Sequence, residues 1–311
     1  MSAYVLRRLA QMVPVLILIS LFVFFLVRLV PGDPAAIMLG PRASQENIAK
    51  IRTQLHLDDP LWVQYGTFAK NLTRLDLGDS IRKREPVRDV LADRLPPTLF
   101  LVAYAAVLSV LISVPLAMIA AANRGRWPDA LVRGFTIAAL AMPAYWVGMM
   151  MLQIFAVKFK VFPVAGWGDT VPEHFRSLFL PALALALAIS SILIRGLRNS
   201  LIETMDADHV RTARAKGLSE GKVFSWHVLR NSSLSTVTIL GVNLAFLVGG
   251  TTIVETIFSV PGLGQLIVRS IFDRDYPVIQ GVTLLFGVLV LVINLLTDLS
   301  YAVLDPRVKL S

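Results

Sequence analysis

The sequence predicts an all-α integral membrane protein with six transmembrane helices. Of its 311 residues, 55% are hydrophobic and only 16% are charged, whereas a soluble domain carries about 25% charged residues. The mean hydropathy is +0.67. The apolar residues form six long runs without Asp, Glu, Lys or Arg. Because about 20 apolar residues in a helix cross a hydrocarbon core of about 30 Å, a bilayer is the expected solvent.

The absence of charged residues from the six runs indicates membrane insertion, because a single Lys, Arg or Asp at a helix centre costs about 2.5–3.5 kcal/mol on insertion. We predict one transmembrane helix for each run. The runs are Leu9–Val27, Leu99–Ala122, Phe135–Val157, Leu178–Ile194, Leu234–Val254 and Val278–Thr297.

The first run could also belong to a cleaved signal peptide, because Arg7 and Arg8 precede it. Its 19 residues exceed the apolar stretch of about 7–15 residues in such peptides. No small-x-small cleavage site follows, and 31–34 (Pro-Gly-Asp-Pro) is typical of a loop entry. We expect the run to be retained as the first span, with a cleaved leader as the alternative.

Lys and Arg residues in the short loops predict the orientation, since the side richer in them stays in the cytoplasm. Apart from the long segment 31–98, the loops on one side hold 14 of these residues. The opposite loops hold five: Lys158, Lys160, Arg176, Arg269 and Arg274. Both termini are therefore predicted to be cytoplasmic. The chain then divides into an N-terminal tip with the first span (1–30), an extracytoplasmic segment (31–98) and a core (99–311) with a cytoplasmic loop at 195–233.

The extracytoplasmic segment is predicted to contain two helices. It holds ten basic and nine acidic residues, so it is not a polybasic lipid anchor. One helix has Asp59 as N-cap and Pro60 as its first residue, and its apolar residues are Leu61, Tyr65, Phe68 and Leu72. The other begins at Ser44, with an apolar face made of Ile48, Ile51 and Leu55. These helices either lie in the membrane interface over a pathway mouth or pack against the spans.

The loop 195–233 contains the clearest functional pattern. Asp208 is a suitable N-cap for a short helix, and Gly217 can adopt the left-handed conformation that ends one. Ser219 can then start the next helix. Within the first helix Val210 and Ala213 share a small apolar face with Gly217, and Arg211 and Arg214 form a basic ridge beside it. Such a helix fits a groove on another protein; the alternative is a solvated basic connector.

This stretch resembles the "EAA" loop of ABC importer permeases, in which a short cytoplasmic helix binds a cleft of the ATPase subunit. The triplet here is Arg211-Thr212-Ala213, and the glycine of the motif matches Gly217. The variant is similar to that of the dipeptide, oligopeptide and nickel branch. Further similar motifs span most of the chain: 31–34 (Pro-Gly-Asp-Pro), 78–80 (Gly-Asp-Ser), 94–96 (Arg-Leu-Pro), 258–264 (Phe-Ser-Val-Pro-Gly-Leu-Gly), 274–277 (Arg-Asp-Tyr-Pro) and 305–307 (Asp-Pro-Arg). One departure is Ser235, where the branch has proline.

The resemblance implies a type I, MetI-like permease fold with a helical extracytoplasmic segment between the first two helices. It also implies a bacterial inner membrane, a sister permease subunit, two ATPase subunits that bind ATP and Mg²⁺, and an extracytoplasmic solute-binding protein. No cofactor is expected on this chain. The residues implied to couple to the ATPase are Asp208, Val210, Arg211, Thr212, Ala213, Arg214, Lys216 and Gly217. The rival interpretation is a secondary transporter or channel that works alone.

Polar residues within or beside spans usually face protein or a cavity, because lipid cannot solvate them. Asn294 and Asp298 lie four residues apart on one helix face, and 249–252 (Gly-Gly-Thr-Thr) permits close helix approach. Such residues either line a pathway or gate, or make hydrogen bonds and packing contacts between helices. The pathway candidates are Asn243, Gly249, Gly250, Glu255, Asn294 and Asp298.

The sequence does not contain the motifs of nucleotide-binding, metal-binding or catalytic sites. The stretch 217–223 has three residues between its glycines and Val after Lys, whereas a phosphate-binding loop needs four and then Ser or Thr. The four histidines show no metal-binding spacing, no nucleophile elbow is present, and the chain has no cysteine. The net charge of +9 does not indicate nucleic acid, because the basic residues lie between apolar runs. We predict no catalytic residue and no metal site.

Overall fold

The computed structural model describes residues 2–29, 35–36, 44–54 and 58–304. The motifs at 31–34 and 305–307, the predicted apolar residue Leu55 and the side chain of Ser235 lie outside these residues. The described helices are α1 (Ser2–Leu29), α2 (Gln45–Gln54), α3 (Leu61–Thr73), α4 (Val87–Ala122), α5 (Trp127–Ala141), α6 (Ala144–Met151), α7 (Val171–Met205), α8 (Asp208–Ala215), α9 (Glu220–Lys222), α10 (Arg230–Ile257), α11 (Leu263–Asp273) and α12 (Tyr276–Leu304). Two π-helical segments, Leu152–Lys158 and Val223–Leu229, extend α6 and precede α10.

Five helices are long and apolar enough to cross a membrane, and their positions confirm five of the predicted spans. They cover Leu6–Leu26, Val87–Ala122, Val171–Met205, Thr236–Ile257 and Tyr276–Ser300. At about 1.5 Å per residue, the 36 residues of α4 reach about 54 Å. The helix therefore continues well beyond the hydrocarbon core, and its charged first turns lie outside the apolar run.

The third predicted span is bent rather than continuous. Trp127–Ala141 and the helical stretch Ala144–Lys158 meet at 97°. Met142 and Pro143 are extended, with ψ of 122° and 137°, because proline disfavours the helical conformation of the residue before it and lacks an N–H to donate. The described residues contain six spans if this bent pair is counted as one span.

The helices form two compact units. One comprises Met1–Pro96 and Pro261–Leu291, and the other comprises Pro97–Val260 and Val292–Ser311. In the first unit α1 packs on α3 through the rings of Phe24 and Tyr65, whose centroids are 5.4 Å apart. Gln280 of α12 donates a hydrogen bond to the carbonyl of Val23 at 3.2 Å. These contacts make α1 part of the first unit.

The two predicted helices of the segment 31–98 are present with one correction. The backbone N–H of Ile48 bonds the carbonyl of Ser44 at 3.0 Å, so Ser44 directly precedes α2, whose first residue is Gln45. The N-cap of α3 is Pro60 rather than Asp59. Proline can hold the extended conformation of an N-cap and has no N–H that needs a partner, so the helix begins one residue later.

The second unit is built around α7, the most buried of the five continuous spans. Leu185 and Leu193 of α7 form a core with Leu247 and Val254 of α10. A Cβ added at Gly241 would overlap the side chain of Thr297, so glycine allows α10 and α12 to approach closely here. This unit also holds the loop 195–233.

Candidate functional site

The predicted loop helix is present as α8, residues Asp208–Ala215. Its N-cap is Ala207 rather than Asp208, which is the first helical residue and places its carboxylate in the first turn. At the other end Gly217 has φ of +77°, and the N–H groups of Gly217 and Leu218 bond the carbonyls of Arg214 and Ala213. This arrangement is a Schellman motif, and it confirms that Gly217 ends the helix in the left-handed conformation.

The apolar face of α8 is covered by its own subunit. Val210 and Ala213 are 0% and 6% exposed, and they lie in a cluster with Ala120, Leu197 and Val228, from α4, α7 and the second π-helical segment. The expectation that this face enters a partner's groove is therefore wrong. Amphipathic spacing identified the apolar face correctly, but α7 and the second π-helical segment already occupy it.

The face of α8 that remains open is polar. Its exposed residues, with the turn that follows, are Asp208, His209, Arg211, Thr212, Arg214, Ala215, Lys216 and Gly217. Arg214 donates to both carboxylate oxygens of Glu220, at 2.9 and 3.2 Å, across the Gly217 turn. Arg211 lies 3.7 Å from the carboxylate of Asp208. Both pairs are exposed and contribute little stability, so the side chains can exchange them for partners on another protein.

Side-chain hydrogen bonds tie the loop to the spans on either side of it. Asn231 at the start of α10 lies 3.1 Å from the ring nitrogen Nε2 of His209. Ser232 donates to the hydroxyl of Thr204, near the end of α7, at 3.0 Å. The intervening π-helical segment, Val223–Leu229, is a wider helical form that is often found at functional sites. The first of these bonds joins α8 to α10, and the second joins α7 directly to α10.

The pathway candidates of α10 fall into three different settings. The side-chain amide of Asn243 donates to the carbonyl of Ile239 at 2.6 Å, within its own helix. Gly249 and Gly250 are exposed, and an added Cβ at either would meet nothing within 4 Å. Glu255 is 0% exposed and accepts a hydrogen bond from the Thr98 hydroxyl at 2.8 Å. Among the candidates on α10, only the two glycines are therefore exposed.

The remaining two pathway candidates lie on α12. Asn294 is exposed and Asp298 is half-buried. They share a helix face, as their four-residue spacing predicts. Of the six pathway candidates, three are thus exposed, two are half-buried, and Glu255 is buried in a bond that joins α4 to α10.

A buried ion pair that the sequence analysis missed lies beside the loop. Arg198 of α7 donates Nε and Nη2 to the two carboxylate oxygens of Asp129 of α5, at 2.7 and 2.8 Å. Asp129 is 1% exposed, and it also accepts the N–H of Gly125 at 3.0 Å. This bidentate geometry is the strong form of the pair. The acidic residue in the first turn of α5 was the available signal.

A second missed contact joins two motifs that the sequence analysis treated separately. Asp275 is 3% exposed and accepts hydrogen bonds from the Ser80 hydroxyl at 2.5 Å and from the N–H groups of Ile81 and Arg82 at 3.2 Å each. The motif at 78–80 is therefore held against the motif at 274–277. Nearly 200 residues separate them, so spacing could not reveal the contact.

Among the described residues, no three His, Asp or Glu side chains are grouped closely enough to hold a metal ion. The loop 195–233 therefore presents a solvent-facing helix that packs against elements of its own unit. Comparison with protein families decides between the interpretations. The family described as "binding-protein-dependent transport system inner membrane component" matches residues 113–310. The family that describes the N-terminal part of such components matches residues 1–102.

The chain belongs to this family. It is a permease subunit of an ABC importer, as the resemblance of the loop predicted. A putative peptide transport system permease of Brucella abortus (strain 2308) is 39% identical to it over 312 residues, which cover 99% of each chain. The glutathione transport system permease GsiC of Salmonella typhimurium (strain LT2) is 40% identical over 310 residues, again with 99% of each chain covered.

Solved structures confirm the fold of the permease. The MetNI methionine ABC transporter in inward-facing conformations matches 70% of this chain and 96% of its own, with a TM-score of 0.59 and 17% identity. An amino acid ABC transporter solved with histidines matches 69% and 94%, with a TM-score of 0.54 and 15% identity. At these identities the likeness shows the fold alone. The MetI-like architecture expected from the sequence is therefore present.

Proposed function

We propose that this permease forms half of the translocation pathway for peptides or a related small solute such as glutathione, and that separate ATPase subunits drive it. The observation that carries the proposal is full-length identity of 39–40% to permeases of peptide and glutathione systems. A sister permease completes the pathway, a solute-binding protein delivers the solute from outside, and ATP and Mg²⁺ bind the ATPases. The chain itself catalyses nothing. Both termini and the loop 195–233 lie in the cytoplasm of a bacterium, at its inner membrane.

The proposed coupling surface is the polar face of α8. Its apolar face is occupied by its own subunit, and the docking groove of the ATPase therefore receives Arg211, Arg214 and the Gly217 turn. Because Val210 and Ala213 are buried against α7 and the second π-helical segment, movement of α8 carries these elements with it. Closure of the ATPase pair then biases the bundle from an inward-open to an outward-open state, an equilibrium shifted by nucleotide.

A charge reversal tests the coupling surface. Arg211→Glu is expected to abolish co-purification of the ATPases and ATP-driven uptake, because the reversed charge faces the groove. The matched control is Lys222→Glu, which makes the same charge change at an exposed position outside α8. It should leave both measurements within about twofold of the parent protein. Equal effects of the two variants, or normal coupling in Arg211→Glu, would remove α8 from the docking surface.

Uptake in vesicles tests the substrate class and the source of energy. Vesicles with the complete transporter should accumulate labelled dipeptide or glutathione only when ATP and the solute-binding protein are present. Competition between the two solutes would assign the preference. Flux by the permease alone, driven by an ion gradient, would instead establish the rival interpretation as a secondary transporter.

A further inference from the structure

A cavity of about 150 Å³ lies within the first unit. Its walls come from the turn after Ser80, the first turns of α4, the helix α11 and the start of α12. Four cationic side chains line it: Arg82, Lys83, Arg94 and Arg269. Three of them lie within residues 82–94, and the fold adds Arg269 from a distant part of the chain.

The cavity holds more cationic than acidic side chains, four against two. Its two acidic residues are Asp273, which is exposed, and Asp275. The carboxylate of Asp275 already accepts three hydrogen bonds, from the Ser80 hydroxyl and two backbone N–H groups. Within the described part of the chain, the side chains of Arg82, Lys83 and Arg269 form no ion pair with another residue. The cavity therefore offers uncompensated donors to an anion.

The cavity lies at the depth of lipid headgroups. Arg94 precedes the charge-free run of α4, which begins at Leu99, by five residues, or about 7 Å of helix. Asp275 directly precedes α12, whose charge-free run begins at Val278. The headgroup layer is about 5–8 Å thick on each side of the hydrocarbon core. Both helices therefore enter the hydrocarbon just beyond the cavity.

Apolar side chains at the end of α11 lie next to the cavity in sequence. Phe272 is 83% exposed and Ile271 is 56% exposed, and they follow Arg269 on the same short helix. Exposed aromatic and aliphatic side chains at headgroup depth insert among the acyl chains. A cation cluster with adjoining apolar residues suits a molecule that has a negative headgroup and a hydrocarbon tail.

We propose that this cavity binds the phosphate of an anionic phospholipid, with Arg82, Lys83 and Arg269 as donors and Phe272 against the acyl chains. Arginine binds phosphate through paired N–H groups and lysine binds it as a point charge. Free phosphate has the same headgroup chemistry, but it would gain nothing from Phe272 or from the depth of the site. The proposal does not depend on which solute the permease transports.

Native mass spectrometry of the detergent-solubilised transporter complex, titrated with phosphatidylglycerol or phosphatidylcholine, tests the proposal. Arg82→Gln/Arg269→Gln should lower phosphatidylglycerol retention about tenfold or more, since each cation near a lipid surface contributes to binding. The control Arg84→Gln/Arg88→Gln removes two exposed cations of the same segment that do not line the cavity, and its retention should match that of the parent complex.

A second variant keeps the test decisive if the double substitution prevents folding. Phe272→Ala removes an exposed side chain without a core contact, and it should lower phosphatidylglycerol retention several-fold while leaving the melting temperature unchanged. Full displacement of the lipid by inorganic phosphate, or equal retention of the two lipids, would mean that the site takes a soluble anion and would overturn the lipid assignment. Unchanged lipid retention with loss of stimulation by the solute-binding protein would assign the cavity to a protein partner instead.

Discussion

Replacing Gly217 with valine is expected to uncouple the permease from its ATPases while leaving it inserted in the membrane. Gly217 has φ of +77°, and an added Cβ would meet nothing within 4 Å. The cost is therefore backbone strain alone, about 1–2 kcal/mol and more for a β-branched residue. That free energy lowers the population of the native turn by about 5–30-fold relative to a relaxed one. The Arg214–Glu220 pair, which bridges the turn, would be lost with it.

The assay combines co-purification of the ATPases with ATP-driven uptake, each divided by the amount of inserted permease. Gly125→Val is the matched control, because Gly125 also has φ of +77° and nothing within 4 Å of an added Cβ. It imposes the same strain on a different turn, between α4 and α5. Normal transport by Gly217→Val, or equal loss of ATPase association in both variants, would contradict a role of the Gly217 turn in coupling.

Three further substitutions are expected to act through packing rather than coupling, and melting temperatures in detergent measure each. Asp129→Ala leaves the side chain of Arg198 partly buried without its carboxylate partner and should cost about 3 kcal/mol; a loss below 1 kcal/mol would show that water replaces the partner. Glu255→Ala removes a buried acceptor and should cost about 1–3 kcal/mol, whereas Glu255→Gln, which keeps an acceptor, should cost less. Gly241→Val overfills the contact of α10 with α12 and should cost about 1–3 kcal/mol, and Gly250→Val, with open space around it, should be nearly neutral.

Five spans could be predicted from the sequence because hydropathy depends only on which residues are present. The bend of the third could not. Pro181 lies inside α7 without ending it, whereas the extended pair Met142 and Pro143 separates two helices. Both prolines stand in charge-free apolar runs. The sequence pattern around a proline therefore does not reveal whether the helix continues through it.

The candidate site shows the same division between local and tertiary information. The end of α8 at Gly217 follows from the conformational freedom of glycine, and it was predicted correctly. The partner of the apolar face did not follow, because spacing shows that Val210 and Ala213 point the same way without showing what covers them. The contact of Ser80 with Asp275 and the pairing of Asp129 with Arg198 depend on the assembled fold in the same way.

Because Val210 and Ala213 are buried and the other residues of α8 are exposed, the two groups of positions are under different selection. Those two residues are buried, so the space around them limits the side-chain volume that they can have. A substitution there is selected against when it impairs folding of the permease. Arg211, Thr212 and Arg214 are exposed, and they can change without harming the folding of the permease. Under the proposed docking, a few surface side chains of α8 determine which ATPase each permease binds in a bacterium with several similar importers. Exchanging those side chains alone should redirect a permease to the ATPase of another importer.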